Sequence, residues 1–311
     1  MTQGENRHHL YLFAAVAMIF AVVPFVTYPV FPMKVMCFAL FAAAFNLLLG
    51  YGGLMSFGHA MFFGTGGYLC AHAAKVWGLP PELAIVLGTL AASALGAVVG
   101  AIAIRCQGIY FAMITLALAQ MMYFFYLQAP FTGGEDGIQK VPRGMLLGVL
   151  DLSQMLVMYF FVFAVFMAGM LAVYRVIHSP FGQVLKTIRE NELRALSLGF
   201  NVGRYKLLAV VLSAALAGLA GSVKAIVFGL ASLVDVHWTM SGEVVLMTML
   251  GGLGTIFGPI VGAAIVVAME NYFARFGSWV VVAQGLVFIF CVLVFRSGVV
   301  GKIAAYIRRP L

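Results

Sequence analysis

The residues best suited to chemistry in aqueous solution lie between Ser179 and Arg204, in SPFGQVLKTIRENELRALSLGFNVGR. Ser179 is of N-cap type, and Pro180 fits the first helical position, where a missing N–H costs nothing. Phe181, Val184, Leu185 and Ile188 recur at i, i+3, i+4 and i+7, which predicts a helix over 180–198 with one apolar stripe. Lys186 with Glu190, and Glu190 with Arg194, are spaced for i,i+4 pairs on its solvated side. Gly199 fits a C-cap. The chemistry of such a helix is recognition. It either lies on lipid headgroups or is offered to a partner in the aqueous phase.

A second set of residues sits in two glycine-rich apolar stretches, 50–69 and 251–262. Both begin Gly-Gly-Leu, at Gly52 and at Gly251. The first holds Ser56, Gly58, His59 and Gly64; the second holds Gly252, Gly254, Gly258 and Pro259. Interrupted apolar segments in corresponding places point to a translocation pathway between internal repeats. Small residues four apart, such as Gly254, Gly258 and Gly262 or Gly96 and Gly100, also let helix backbones touch. Packing is the simpler account of any one glycine, and a pathway is the better account of the two segments together. His59 fits either a hydrogen bond to nearby backbone or a place on that pathway.

Reactive constellations are missing. The chain has no Ser/His/Asp grouping, no HExxH and no phosphate-binding GxxxxGKT, so no catalytic or metal site is expected. Cys37, Cys70, Cys106 and Cys291 lie in or beside apolar runs and read as small buried hydrophobes. Within the spans the ionisable groups are few: Lys224 near one end of its run, and Glu243 and Glu270 at the ends of a broken one. Snorkelling to the interface accounts for Lys224 and Glu270.

The elements that position these residues are membrane spans. The chain is 64% hydrophobic and only 9% charged, against about 25% charged in a soluble domain. At about 20 residues per crossing, 311 residues give roughly eight to ten spans in one transmembrane domain, all-α, with little left for a soluble domain. The apolar runs are 10–31, 33–50, 60–78, 82–104, 109–128, 153–177, 205–229, 242–273 and 278–296. The first contains Pro24 and Pro29, is too long for a signal-peptide core and reads as a span. Arg175, Lys186, Arg189, Arg194, Arg204 and Lys206 flank or fill the insert at 179–204, and Arg296, Lys302, Arg308 and Arg309 crowd the tail. Glu135, Asp136 and Asp151 lie in the loop 129–152. The positive-inside rule then places both termini and the insert in the cytoplasm. Parity requires 242–273 to begin and end outside, as a hairpin broken at GGLGTIFGPIVG. The net charge of +8 follows from this topology, with no sign of nucleic-acid binding.

Several stretches carry a family resemblance: FNLLLGYGGLMSFGHAMFFGTGGY (45–68), GIYFAMITLALAQ (108–120), TGGEDGI (132–138), SPFGQVLKTIRENELRALSLGFNVGRYKLLAVVLSAALAGLAG (179–221) and GGLGTIFGPIVGAAI (251–265). In this order they resemble the branched-chain amino acid ABC-transporter permeases, in particular the LivM-type subunit. The resemblance implies a heteromeric bacterial importer in the plasma (inner) membrane. It would pair this permease with a second, LivH-type permease, two cytoplasmic ATPases and an external substrate-binding protein. ATP and Mg would be bound by the ATPases, and no cofactor by this chain. The insert is similar to an importer coupling loop, which implies ATPase coupling through Arg189, Glu190, Glu192, Arg194, Ala195 and Gly199. Branched-chain amino acids are the expected cargo, with urea, short amides or other amino acids as alternatives within the family. A stand-alone carrier or channel is the contrasting expectation. The scarcity of ionisable groups in the spans speaks against an ion-driven carrier.

Overall fold

The computed structural model describes residues 3–146, 148, 150–273, 282, 285, 286, 289 and 298–307. Its helices are α1 (Gln3–Val22), α2 (Val30–Asn46), α3 (His59–Lys75), α4 (Pro81–Ala103), α5 (Ile109–Gln128), α6 (Met155–His178), α7 (Pro180–Glu190), α8 (Glu192–Ser197), α9 (Val202–Phe228), α10 (Trp238–Gly251), α11 (Gly258–Phe273) and α12 (Gly298–Ile307). Among the described residues, five segments are long and apolar enough to cross a membrane: Val30–Tyr51, α4, α5, α6 and α9. The apolar part of α1 (Tyr11–Phe25) and helix α11 are shorter. The chain is thus a polytopic helical membrane bundle. The run 278–296, Cys291, Arg296, Arg308 and Arg309 lie outside the described residues apart from isolated positions.

Helix α2 is the axis. Apart from Lys34 and Asn46 it is apolar all round, as a helix buried on every side must be, and 89% of its apolar window is covered by protein, against 33% for α4 and 28% for α5. Those two outer helices present Leu90, Val98, Met121 and Phe124 to the surroundings, a lipid-compatible face. Between spans in lipid the driving force is close packing, because hydrocarbon neighbours are as apolar as the helices themselves. Helices α3, α4 and α9 meet accordingly through small residues. A Cβ on Gly66 would stand 2.2 Å from the Gly218 carbonyl oxygen, and one on Gly221 only 1.9 Å from that of Phe63. Gly96 and Gly100 pack the same way, against Ala214 and Leu207.

The segment 242–273 is a hairpin, as its glycines predict. Helices α10 and α11 are separated by the non-helical residues 252–257. Their antiparallel crossing leaves no room for side chains: a Cβ on Gly262 would lie 1.7 Å from Met247 O, and one on Gly251 1.9 Å from Gly258 O.

Two connections close the end of the bundle opposite α7. Strand β1 (Ile138–Gln139) pairs antiparallel with β4 (Leu230–Ala231), and β2 (Met145–Leu146) with β3 (Leu150–Asp151). Lys75 at the end of α3 donates to Gln139 O at 2.8 Å, and Arg143 donates to Val227 O at 3.1 Å. The TGGEDGI stretch earns a structural reading here. Gly137 has φ +67 and passes so close to β4 that a Cβ would lie 2.2 Å from Ala231 O.

Candidate functional site: the junction of the insert with two broken segments

The insert begins as its sequence predicts. The Ser179 hydroxyl accepts the Gly182 N–H at 3.3 Å, and Pro180 opens α7. Leu185 and Ile188 are buried, and Phe181 stacks on Tyr205 at 5.7 Å. The continuous helix expected over 180–198 is, however, two helices. Asn191 leaves helical geometry at φ −156 and ψ 102, and its side chain accepts the Arg194 N–H at 3.0 Å as the N-cap of α8. An Asx side chain offers the backbone this local alternative, and here it prevails over helix continuation. The break puts Glu190 and Arg194 on different sides of a turn, and Lys186 lies over the Tyr51 ring at 5.5 Å. Gly199, at φ +84, ends α8 in a Schellman turn: its N–H reaches Leu196 O at 2.9 Å and the Phe200 N–H reaches Ala195 O at 3.2 Å.

The two faces of the insert differ in an unexpected way. Ala195 is fully buried. Glu192 points back to the bundle, accepting from Lys206 at 2.8 Å and from Gln107 at 3.3 Å. Exposed on the other side are Glu190 and Arg194 together with three leucines: Leu193, Leu196 and Leu198 are 76%, 52% and 64% exposed. Three large apolar side chains on and just after so small a helix form an exposed apolar patch, which is unfavourable in water until lipid or protein covers it. The leucines had no separate signal in the sequence, since the break at Asn191 shifts the helical phase after residue 190.

Arg189 connects the insert to the membrane. Its guanidinium donates to the Gly50 carbonyl oxygen and lies about 3.6 Å from where a Cβ on Gly254 would be. Its stem lies against Gly53, where φ is +67 and a Cβ would meet Arg189 Cγ at 3.0 Å. Glycine is required there on both counts. Helix α2 widens into a π-turn over Leu47–Tyr51 just before this point, a feature that recurs at functional sites.

Asn46 joins the second broken segment to the first. Its amide donates to Thr255 O at 2.8 Å, and its carbonyl accepts the Gly254 N–H at 2.9 Å. To reach them, the side chain runs where Gly50 would carry a Cβ, 2.2 Å from Asn46 Oδ1. Both glycine-rich stretches and the insert therefore meet at one place, and a single buried amide holds the two breaks together. Asn46 was not among the candidates, because one Asn in an apolar run gives no sign of its partner 208 residues away. Asn46→Ala is expected to leave a buried N–H and a buried C=O unpaired and to cost about 2–4 kcal/mol. Thermal unfolding of the purified permease checks this, and an unchanged midpoint would show that water replaces the amide.

The other pathway candidates are packed against protein. Ser56 is buried and its hydroxyl accepts the Gly58 N–H at 3.3 Å. A Cβ on Gly58 would lie 2.3 Å from Thr115 O, and one on Gly64 would lie 2.3 Å from Val236. The free N–H groups where α3 begins are taken by side chains of other helices: Phe57 N–H by Thr115 at 3.2 Å and Ala60 N–H by Ser241 at 2.9 Å. Protein thus covers Leu54, Ser56 and Gly58 in this non-helical stretch, while Gly53 and Met55 are exposed. Gly252 (φ +123) and Gly254 (φ +75) lie in the α10–α11 break, and Gly258 and Pro259 open α11. A Cβ on Gly258 would meet Thr255 Oγ1 at 2.2 Å, and Pro259 is buried in the first turn of α11.

His59 is fully buried among Phe41, Phe45 and Phe62, with Nε2 2.8 Å from Ser213 Oγ. Ser213 gives its only proton to Ala44 O. Ser213 must therefore accept from His59, which fixes the Nε2–H tautomer. The histidine ties α3 to α9 and, through Ser213, to α2. His59→Ala is expected to remove about 3–5 kcal/mol, as truncating a large core ring does, and so to lower the yield of folded protein. Normal yield with a changed transport rate would show instead that the ring lines the path. Neither Lys224 nor Glu270 snorkels free: Lys224 donates to Asp235, and Glu270 accepts from Lys34 at 2.8 Å.

The high-affinity branched-chain amino acid transport system permease proteins LivM of Salmonella typhimurium (strain LT2) and Escherichia coli (strain K12) are each 26% identical to this chain over 274 residues. The alignments cover 80% of this chain and 64% of each relative. No solved structure matches the chain. The family described as "Branched-chain amino acid transport system / permease component" matches residues 31–295, from the start of α2 through both glycine-rich breaks and the insert. The chain belongs to that permease family.

Proposed function

We propose that the chain is the pathway-forming permease subunit of an ATP-driven importer of branched-chain, hydrophobic amino acids. It sits in the inner membrane of a bacterium with the insert and both termini in the cytoplasm, and ATP is hydrolysed by partner subunits. The observation that supports this reading is the junction just described, where a helix pair with exposed leucines is fastened by Arg189 to the first broken membrane segment, which Asn46 ties to the second. A secondary carrier has no use for such a fastening. An importer driven from outside its membrane domain needs one.

In this reading an ATPase covers Leu193, Leu196 and Leu198, and nucleotide-driven closure of the ATPase pair displaces α7 and α8. Leu185 and Arg189 pass the displacement to Gly50, Gly53 and Gly254. The positive-φ glycines Gly53 and Gly254 take up backbone rotation there at little cost, and the breaks rearrange to alternate access. The partners are a second, LivH-type permease, two ATPases and an external binding protein.

A pull-down from detergent-solubilised membranes, with the chain expressed beside its native neighbours, tests the reading. Wild type is expected to retain an ATPase, and Leu193→Asp with Leu196→Asp to lose it while staying in the membrane. Retention of the ATPase by the double variant would remove α8 as the docking surface. Absence of any ATPase from the wild type would favour a transporter that works alone.

A further inference from the structure

Of the five long spans described, α4 and α5 are the least covered by the rest of the chain, and their open faces differ in chemistry. The large exposed side chains of α4 are aliphatic: Leu83, Val86, Leu90, Val98 and Ile102. Thr89 on that helix turns back on itself, donating to Ile85 O at 2.8 Å. The open face of α5 holds Tyr110, Met113, Met121, Phe124 and Phe125 instead. Met113, Ala117 and Met121 follow at i, i+4 and i+8, one exposed stripe with a small residue at its centre. Aromatic residues and methionine are enriched where proteins meet, and a small residue lets a second helix come close.

Hydrocarbon would accept either face, so apolar character alone does not separate lipid from protein. Gln120 does. It stands beside the stripe near the middle of α5 and is half-buried. Its Oε1 is covered and accepts no hydrogen bond. Lipid tails offer no donor and water is absent at that depth, so an amide left unpaired there is costly. Asn46, Thr115 and Ser241 meet this requirement inside the chain, with Thr255 O, Ala112 O and the Ala60 N–H. Gln120 meets it only if a donor comes from another span. Its terminal torsion is broad, and rotation about it turns the oxygen toward the open stripe. Side-chain amides bond across helices in this way within membranes.

The foot of α5 adds the direction. Gln107, just before the helix, donates to Glu192 of α8 at 3.3 Å. The stripe therefore rises from the same side of the bundle as the exposed leucines of the insert. An importer driven by a pair of ATPases holds two permeases side by side above that pair. We infer that the α5 face of Met113, Ala117 and Met121 is where this chain meets the second permease, with a donor from a span of that partner bonded to Gln120. This rests on the importer reading above and adds to it the place of contact.

Photo-cross-linking in the complete transporter tests the face. p-Benzoylphenylalanine is placed at Met113, Ala117 or Met121 on α5, and at Leu90 or Val98 on α4. The α5 positions are expected to give a product joining this chain to the second permease at least tenfold more often than the α4 positions. Equal yields from both helices, or lipid adducts alone from α5, would overturn the face. A product joining two copies of this chain would overturn the second permease as its occupant. Gln120→Leu tests the amide independently. The side chain has no acceptor bond to lose within the chain, so the amount of this chain in the membrane should not fall. The second permease retained per copy in mild detergent should drop about three- to twentyfold, as the loss of one interhelical hydrogen bond does. A lower amount of the chain with unchanged retention would mean that Gln120 serves only the fold, and would overturn its role. A wild-type chain that retains no second permease at all would overturn the importer reading itself, whereas retention with α5 facing lipid would overturn only the face.

Discussion

Gly262→Ala is expected to abolish most of the folded permease. The added methyl would lie 1.7 Å from Met247 O and 3.0 Å from Gly251 N, both backbone atoms of the facing helix. No rotamer change relieves a clash with backbone, so α10 and α11 would have to separate along the whole hairpin. Overpacking of a core costs about 1–3 kcal/mol, and more where the neighbour cannot yield; here about 3 kcal/mol or more is expected. Against a total stability of about 5–15 kcal/mol, that suffices to deplete the native state during expression. Gly242→Ala is the matched comparison in the same hairpin. Nothing lies within 4 Å of a Cβ there, and alanine gains up to about 1 kcal/mol over glycine in a helix. Monodisperse yield and thermal midpoint of the two variants should move in opposite directions. Equal behaviour would mean that the hairpin is looser than its crossing suggests.

That contrast shows what the sequence can and cannot reveal. Gly242 and Gly262 both sit in one apolar run, and nothing local marks one as a contact and the other as free. The spans themselves were legible, because hydrocarbon imposes a length and a polarity that a sequence must meet. So were the break at 252–257 and the cap at Ser179, which depend on adjacent residues. The insert was half legible. Its buried stripe followed from helical spacing as far as Ile188, and then Asn191 reset the phase and turned Leu193 and Leu196 outward. The junction was not legible at all as a junction. Asn46, Arg189 and Gly254 are far apart in sequence, and their hydrogen bonds exist only once α2, α7 and the hairpin have packed. Arg189 shows the difficulty most plainly: among coupling-loop charges it reads only as a contact for a partner, and the fold also brings its head group to Gly50. The ion pairs of Lys34 and Lys224 were missed for the same reason, each partner being supplied by another element.

Arg189→Ala is expected to leave an assembled transporter that hydrolyses ATP and moves little substrate. The side chain makes no contact with the leucines on which the ATPase is proposed to dock, so assembly should survive its loss. What disappears is the charge-assisted bond from α7 to the Gly50 carbonyl, and with it the polar link between the aqueous helices and the first broken segment. Energetic coupling between distant sites is typically about 1–3 kcal/mol, or about 5–150-fold. Uptake per ATP hydrolysed is therefore expected to fall roughly 10–100-fold. Arg189→Lys keeps a cation but presents a point charge where the planar guanidinium bridges Gly50 toward Gly254, and it should fall between the two. ATP hydrolysis and uptake measured together in proteoliposomes separate this outcome from simple loss of docking, in which both activities vanish, as expected for the Leu193→Asp/Leu196→Asp variant. Wild-type stoichiometry in Arg189→Ala would mean that the buried apolar contacts of Leu185 and Ile188 alone transmit the motion. The arginine would then only seal the end of α2.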